Sequence, residues 1–434
     1  MKLKDVIGDN SGPRYAHILG WGQYIPSKVL TNDDLAQMID TSDEWIIERT
    51  GIRERHIVAD GETTATMSIK AAQDALRVAD FAPDDVDLII VATATPDYMF
   101  PSTACLVQDA LGATHAAAFD LSAGCSGFVY GLAMATHSIR SGAYNSALII
   151  GSETLSRVTD WEDRNTCVLF GDGAGAVLLI GSDVEGGVLS TVLGSDGSGG
   201  EVLVIPGGGS RHPASQDTVL NRMHYIRMNG REVFRFAARI LPRASREACE
   251  EAGLSTDDID LFIPHQANKR IIQFAAKSLK VPEERIFMNL DRCGNTSAAS
   301  IPLALVEAIS RGFVKPNDTL VLVGFGAGLT WGAAAVRWGV SLPVEAPPRW
   351  RRAWHWLYYR WAALRSGVLR LTRRVESMFK LPFEREQRRP EKEKEPPKSA
   401  KTEKPPTEPQ PAEARPGATE SPPEDDSSAQ QEGN

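Results

Sequence analysis

Apolar positions along the chain follow two rhythms. Short, nearly continuous runs of Val, Ile, Leu and Ala occupy Leu88–Thr93, Ala118–Leu121, Ala147–Gly151, Val168–Phe170, Ala176–Ile180, Leu261–Pro264 and Thr319–Gly324. Runs of this kind are expected of strands buried on both faces. Between them, apolar residues recur every three or four positions, which predicts helices over Ala65–Val78, Ser102–Leu111, Ser126–Ser141, Glu232–Ala252, Lys269–Leu279 and Ser297–Arg311. Pro242 is expected to kink or divide the fourth of these. From about Ala16 to Val340 the alternation predicts an α/β protein with helices covering sheets. Each half has a strand feeding a Gly- or Cys-bearing turn that opens a helix, an echo that does not by itself establish a duplication.

The rhythm changes after Leu342, where Pro343, Pro347 and Pro348 make a break. Over 349–380 a helix is predicted again. Trp350, Trp354, Leu357, Trp361, Leu364, Val368, Leu371, Val375 and Met378 fall at alternating spacings of four and three, in one stripe. Eight arginines and Lys380 share this segment with one acid, Glu376. Such a stripe suits a helix lying on anionic lipid. It equally suits a coiled coil or docking onto the body of the protein, and it is compatible with no stable role. From 384 to 434 the chain is Pro, Glu, Lys, Ser and Gln with almost nothing apolar. It cannot bury enough surface to offset its ordering entropy and is expected to be disordered.

Composition narrows the classes. Across 434 residues the hydrophobic share of 42% and charged share of 24% are those of a globular protein. The net charge of −9 gives no global reason to expect nucleic-acid binding. Five scattered cysteines without a CxxC pair argue against a disulfide framework and a structural zinc site, and so for a reducing compartment. The polar stretch Met1–Arg14 has no apolar core of a secretory signal, and no run is long enough for a transmembrane helix.

Candidate chemistry sits in turns. Cys125 lies in Asp120-Leu-Ser-Ala-Gly-Cys-Ser-Gly-Phe-Val, between a strand and a helix whose Phe128, Leu132, Ala135 and Ile139 form one apolar side. A cysteine at a helix N-terminus is favoured as thiolate and serves acyl transfer. A buried, inert cysteine is the other reading, and the one that suits Cys105, Cys167, Cys249 and Cys293. His265, in Phe262-Ile-Pro-His-Gln-Ala-Asn-Lys-Arg, ends an apolar strand, where α/β sheets carry functional residues. A core histidine would look the same. Asn295, in Asp291-Arg-Cys-Gly-Asn-Thr-Ser-Ala-Ala-Ser, is a functional amide or a helix cap. Gly324-Phe-Gly-Ala-Gly-Leu-Thr-Trp-Gly fails the dinucleotide fingerprint because Leu329 stands at its third glycine and Ala333–Val336 reads as a strand. Gly171-Asp-Gly-Ala-Gly fails it too.

Taken in order, Ser-Ala-Gly-Cys125, Pro-His265-Gln-Ala-Asn, Gly-Asn295-Thr-Ser-Ala and the Gly324 run closely resemble β-ketoacyl-[acyl-carrier-protein] synthase III. Thr41-Ser-Asp-Glu-Trp-Ile-Ile-Glu-Arg-Thr-Gly-Ile-Arg-Glu-Arg and Phe170-Gly-Asp-Gly-Ala-Gly match that family as well. The resemblance runs from about Ala16 to Val340. It implies the thiolase fold, with two similar α/β halves (1–185, carrying the cysteine, and 186–343, carrying His and Asn) in a five-layer αβαβα sandwich. The amphipathic helix, 344–383, and the tail, 384–434, lie outside it. It implies a cytoplasmic homodimer, peripheral at a membrane if the helix binds lipid. The implied reaction is a decarboxylating condensation of an acyl-CoA primer with malonyl-[acyl carrier protein], initiating fatty-acid synthesis, with no metal or redox cofactor.

Residue by residue, the resemblance implies that Cys125 is the acylated nucleophile and that His265 and Asn295 complete the triad. Backbone N–H groups of Cys125 and Ala327 would form the oxyanion hole. Trp45 and Arg164 would flank the adenine of coenzyme A, Arg49 its phosphates and Asn268 the pantetheine arm. Phe100 would line the acyl pocket. Arg235, Arg270 and Lys277 would dock the acidic carrier protein.

Two positions depart from the pattern: Ala327 stands where some members have Gly, and Arg231 where some have Asn. Non-decarboxylating thiolases usually add a second cysteine in the C-terminal Gly-rich motif, and Cys293 precedes Asn295 instead. Plant-type polyketide synthases share the triad but resemble the Trp45–Arg55 region less. A synthase priming a specialised metabolite and a catalytically idle membrane-held scaffold are the competing readings. The primer (acetyl, branched or longer) stays open.

Overall fold

The computed structural model describes residues 14–339 and 349–385, and within the last segment the side chains of 357–375. The chain runs β1 (Tyr15–Tyr24), β2 (Lys28–Thr31), α1 (Asn32–Ala36), α2 (Asp43–Thr50), β3 (Glu54–Ile57), α3 (Thr64–Ala79), β4 (Leu88–Ala92), α4 (Thr103–Leu111), β5 (Ala117–Leu121), α5 (Gly127–Arg140), β6 (Ser146–Glu153) and β7 (Gly173–Ser182). It continues through β8 (Gly187–Ser195), β9 (Leu203–Val204), α6 (Gln216–Leu220), β10 (Arg227–Met228), α7 (Gly230–Glu251), β11 (Leu261–Pro264), α8 (Lys269–Leu279), α9 (Leu290–Cys293), α10 (Ser300–Ser310), β12 (Thr319–Gly326), β13 (Thr330–Arg337) and α11 (Arg349–Arg385).

Two sheets carry the structure, in the orders β1-β7-β6-β4-β5 and β11-β12-β13-β8. Strand β4 is parallel to β5 and β6, and β11 to β12; the other neighbours within these sheets are antiparallel. Because strand side chains alternate, each strand feeds two cores. Ile89 and Val91 of β4 pack with Ala75 and Leu76 of α3 and Val107 of α4. Ile90, between them in sequence, joins Phe128 and Leu132 of α5, Ile301 and Leu305 of α10, and Ile263 and Leu322 of the second sheet. The far face of the second sheet, through Phe262, Val321 and Val323, meets α7 and α8. Three cores and two sheets therefore give five layers, α3/α4, sheet, α5/α10, sheet, α7/α8. Phe128, Leu132 and Ile139 are fully buried in the middle layer, each contributing about 1.5–3 kcal/mol by its burial.

Glycine sets the spacing where the middle layer meets the first sheet. A Cβ at Gly151 in β6 would lie 2.1 Å from the Ala298 carbonyl oxygen. Only a residue without one lets the turn ahead of α10 sit against the strand end.

Two expectations need correction. Val168–Phe170 is not a strand: the backbone turns at Thr166–Leu169, where Cys167 N donates to Asp163 O at 3.0 Å and Leu169 N to Thr166 O at 3.1 Å. The Asp163 carboxylate also accepts from Asn165 N at 3.0 Å and Thr166 Oγ1 at 2.8 Å, so a polar turn overrides a short apolar run. Pro242 does not divide its helix, since α7 is continuous through it. Phe236, Ile240, Leu241, Ala244 and Ala248 are buried on either side, and that packing holds the helix across the lost hydrogen bond.

The first sheet lies within 1–185 and the second within 186–343, and both belong to one compact unit that extends to Arg374. Of the second unit, Val375–Asn434, the helical backbone to Arg385 is described. Of the tail expected to be disordered, 384–434, the first two residues continue α11 and the rest lies outside the described residues. None of the described helices is long and apolar enough to cross a membrane.

Candidate active site

Three turns, two of them at the C-terminal ends of strands, converge on one cavity of about 810 Å³, lined among others by Cys125, His265 and Asn295. The first turn follows β5. Gly124 takes a positive φ of 53° and a Cβ there would meet the Ala327 backbone nitrogen at 2.8 Å. Glycine thus lets the cysteine turn abut the loop after β12. Gly326 mirrors it, since a Cβ there would lie 2.5 Å from the Cys125 nitrogen. The backbone N–H groups of Cys125 and Ala327 are thereby held on neighbouring turns. Ala327 is absent from the positive-φ residues, so alanine is accommodated at this position without strain.

The second turn follows β11. His265 N donates to Val323 O at 2.7 Å, tying it to β12. The His265 ring packs edge-on to Phe325 at 5.5 Å. Its Nδ1 is 2.6 Å from Ser300 Oγ at the start of α10, and Gln266 N–H donates weakly to that same oxygen at 3.4 Å. With one lone pair so engaged, the Ser300 hydroxyl can give its proton to Nδ1. That tautomer leaves Nε2–H as the ring's remaining polar group. Burial pushes the His265 pKa down to about 3, so the imidazole is neutral.

The third turn precedes α10. Asn295 is fixed at both ends of its backbone, N to Leu169 O at 2.8 Å and O from Gly171 N at 3.0 Å. Its side-chain Oδ1 accepts from Ser297 N at 2.9 Å. The carbonyl end of the amide is therefore spoken for, and the NH2 end is the one left to donate. This is a local turn contact and not a helix cap, since the helical turn that follows starts after Thr296 and α10 after Ala299, neither with a side-chain cap.

Cys125 is buried, and burial pushes its thiol up to about 12. The helix-end expectation of a stabilised thiolate is reversed, because desolvation of the sulfur outweighs the favourable end of α5. Two residues near it were not among the candidates: Ser297, which lies within the Asn295 motif, and Glu153. Ser297 Oγ donates to Glu153 Oε1 at 3.0 Å, and its hydroxyl also lies in hydrogen-bonding contact with Cys125. Glu153 is fully buried and its pKa is raised by that burial, while Thr95 Oγ1 donates to it at 2.6 Å. An acid closing the apolar run of β6 was the visible hint. Ser300 offered none.

The cavity mouth gathers Trp45, Arg49 and Asn268, with Arg231 beside them. Asn268 Nδ2 donates to Arg49 O at 2.8 Å. Arg164 does not line the cavity. Its guanidinium stacks 4.1 Å from the Trp45 ring centre and pairs with Asp40 at 3.7 Å, while Arg49 stacks at 4.5 Å. Arg235 on α7 and Arg270 and Lys277 on α8 are exposed on adjoining helices. Phe100 is not brought to the cavity. It is 87% exposed, in the loop before α4.

Two family models match the chain: 3-oxoacyl-[acyl-carrier-protein (ACP)] synthase III over residues 119–197 and its C-terminal part over 249–338. A β-ketoacyl-[acyl-carrier-protein] synthase III of Caldanaerobacter subterraneus is 53% identical over 323 residues, covering 74% of this chain and 98% of the relative. Among solved structures, the 3-oxoacyl-[acyl-carrier-protein] synthase III of Aquifex aeolicus is 49% identical with a TM-score of 0.69, covering 74% of this chain and all of that one. That of Thermus thermophilus is 48% identical with a TM-score of 0.70, covering 75% and 100%. About a quarter of the chain has no counterpart in these relatives.

Proposed function

The chain belongs to the β-ketoacyl-[acyl-carrier-protein] synthase III family, and from that premise we propose that the cavity at Cys125 condenses an acyl-CoA primer with malonyl-[acyl carrier protein]. The products are β-ketoacyl-[acyl carrier protein], coenzyme A and carbon dioxide, and the step opens fatty-acid synthesis. The observation that carries the reading is the meeting of a cysteine, a neutral histidine and an oriented amide in one cavity with a cationic, tryptophan-bearing mouth.

In this reading the Cys125 sulfur attacks the acyl-CoA carbonyl. Its proton leaves with the coenzyme A thiol, and the Cys125 and Ala327 N–H groups hold the oxyanion of the tetrahedral intermediate. Malonyl thioester then enters and its C–C bond to the carboxylate breaks, releasing carbon dioxide. The electron pair goes to an enolate whose oxygen takes hydrogen bonds from His265 Nε2–H and Asn295 Nδ2–H. The enolate carbon attacks acyl-Cys125, the acyl C–S bond breaks, and the released thiolate takes a proton from solvent. No electrons leave the system, so the chemistry calls for no redox cofactor, and both oxyanions are met by hydrogen-bond donors of the chain.

The Arg164–Trp45 stack closes the place assigned to the adenine, so a base entering there must displace the guanidinium and regain its cation–π energy, about 0.5–2 kcal/mol. Trp45→Ala should raise KM for acyl-CoA about tenfold while leaving KM for malonyl-[acyl carrier protein] unchanged. The assay follows β-ketoacyl-[acyl carrier protein] by mass across a panel of acyl-CoA donors. Failure to form that product from any donor would remove the proposed reaction.

Arg235, Arg270 and Lys277 are the proposed carrier-protein contacts, suited by exposure and charge to an acidic partner. The five cysteines are unpaired, which supports a reducing compartment, the cytoplasm. A homodimer is supported by an apolar edge. Strand β5 ends its sheet and exposes Phe119, and the loop before α4 exposes Tyr98, Met99 and Phe100. Phe100, remote from its own cavity, would then serve an acyl pocket only across that interface. Light scattering should give twice the chain mass, and Phe119→Lys should halve it.

A further inference from the structure

Of the readings open to helix α11, docking onto the body through its apolar stripe is not the one adopted. The helix is held to the body by the face opposite the apolar stripe. Tyr358 Oη donates to Gly112 O at 3.1 Å, Ser366 Oγ to Asp109 Oδ2 at 2.6 Å, and Arg370 pairs with Asp109 at 3.3 Å. Ala362 and Ser366 are buried, and Tyr359 packs against the α3/α4 core. A Cβ at Gly112 would meet Ala362 Cβ at 2.7 Å, so the helix is seated closely there. The stripe that periodicity would bury faces outward instead. Leu357, Trp361, Leu364, Val368 and Leu371 are between 51% and 69% exposed. They run about 21 Å along the axis.

We propose that this outward face of α11 binds the surface of an anionic lipid bilayer. At about 3.6 residues per turn, Arg360 and Arg374 fall on one border of the stripe and Arg365 on the other. From 357 to 375 the helix has five arginines and no acid, on a chain whose net charge is −9. The positive charge is therefore concentrated where the exposed apolar residues are, which is the composition of an interfacial helix. The aromatic member also fits. Trp361 is exposed, with Arg365 over its ring at 5.8 Å, an amphipathic pair suited to headgroup depth.

A second copy of the chain suits the face less well. The four-three spacing is that of a coiled-coil seam, but pairing two such seams in parallel sets Arg360 of one against Arg365 of the other. Tryptophan at a seam position also overfills the hole that valine and leucine match.

The test uses the full chain with phosphatidylcholine vesicles, with and without phosphatidylglycerol. The wild type should co-sediment with the phosphatidylglycerol vesicles and be released by salt. Leu364→Glu with Leu371→Glu should weaken binding at least about tenfold, with circular dichroism and condensation rate unchanged, since both residues are exposed and far from the cavity. Arg360→Glu, Arg365→Glu and Arg374→Glu together should abolish the preference for phosphatidylglycerol. Failure of the wild type to bind, or binding indifferent to the leucine changes, would overturn the proposal. So would self-association without lipid that the leucine changes abolish, which would assign the face to a second copy.

Discussion

Cys125→Ala should take no acyl group from any acyl-CoA and should lower condensation on the order of 10⁴-fold or more, as removal of a covalent nucleophile does. Intact-protein mass measures both halves of the expectation. The wild type gains one acyl mass, which also names the preferred primer, and the variant gains none. An adduct on the variant would move the nucleophile elsewhere, and Cys105, the exposed thiol, would be the first place to look. The wild-type reaction also has a direction in pH. Burial holds the Cys125 thiol up to about 12, so between pH 6 and about 10 the thiolate fraction rises with every step of pH. Alkylation of Cys125 by iodoacetamide should accelerate throughout that range. A plateau near neutrality would mean that the end of α5 and His265 stabilise the thiolate more than burial opposes it.

That reversal marks where sequence stops being informative. The turn, the helix after it and its apolar side are all legible, because Phe128, Leu132, Ala135 and Ile139 repeat at helical spacing and each is buried. The charge state of the sulfur is not, because it depends on how much water the assembled cavity excludes, a property of five layers rather than of ten residues. Strand β1 shows the same boundary. Its Gly20 and Gly22 dilute the apolar run, and their purpose appears only against α3, where a Cβ at either would lie 2.2 Å from a backbone oxygen. Glu153 and Ser300 reach the site from β6 and α10 through contacts that no local pattern announces. Helix α11 is the sharpest case. Periodicity finds the helix and its stripe correctly but cannot say which face meets the body. Ala362 and Ser366 win that contact because small residues let the helix approach Gly112 and Asp109 closely.

His265→Ala and Asn295→Ala should separate the two half-reactions. Neither residue is needed, in the proposed scheme, to hold the oxyanion of acylation, which rests on the backbone of Cys125 and Ala327. Both variants should therefore still gain the acyl mass. Both should lose condensation by about 10²–10³-fold, the usual cost of one donor to a developing oxyanion, or about 2.7–4 kcal/mol. The double variant should lose less than the product of the two, since the donors share one oxygen and act as a unit. The pH dependence distinguishes donation from general acid–base chemistry. With its pKa lowered to about 3 by burial, His265 stays neutral from pH 5 upward, so its protonation leaves no inflection between pH 5 and 8 in the wild-type rate. His265→Gln, which keeps an N–H donor but cannot titrate, should recover part of the loss. Ser300→Ala leaves Nδ1 without its partner and frees the ring to take the other tautomer. It should slow condensation without slowing acylation, as His265→Ala does but more weakly. Loss of the acyl adduct in His265→Ala would instead make the imidazole the base that takes the Cys125 proton, and would place its first task before decarboxylation.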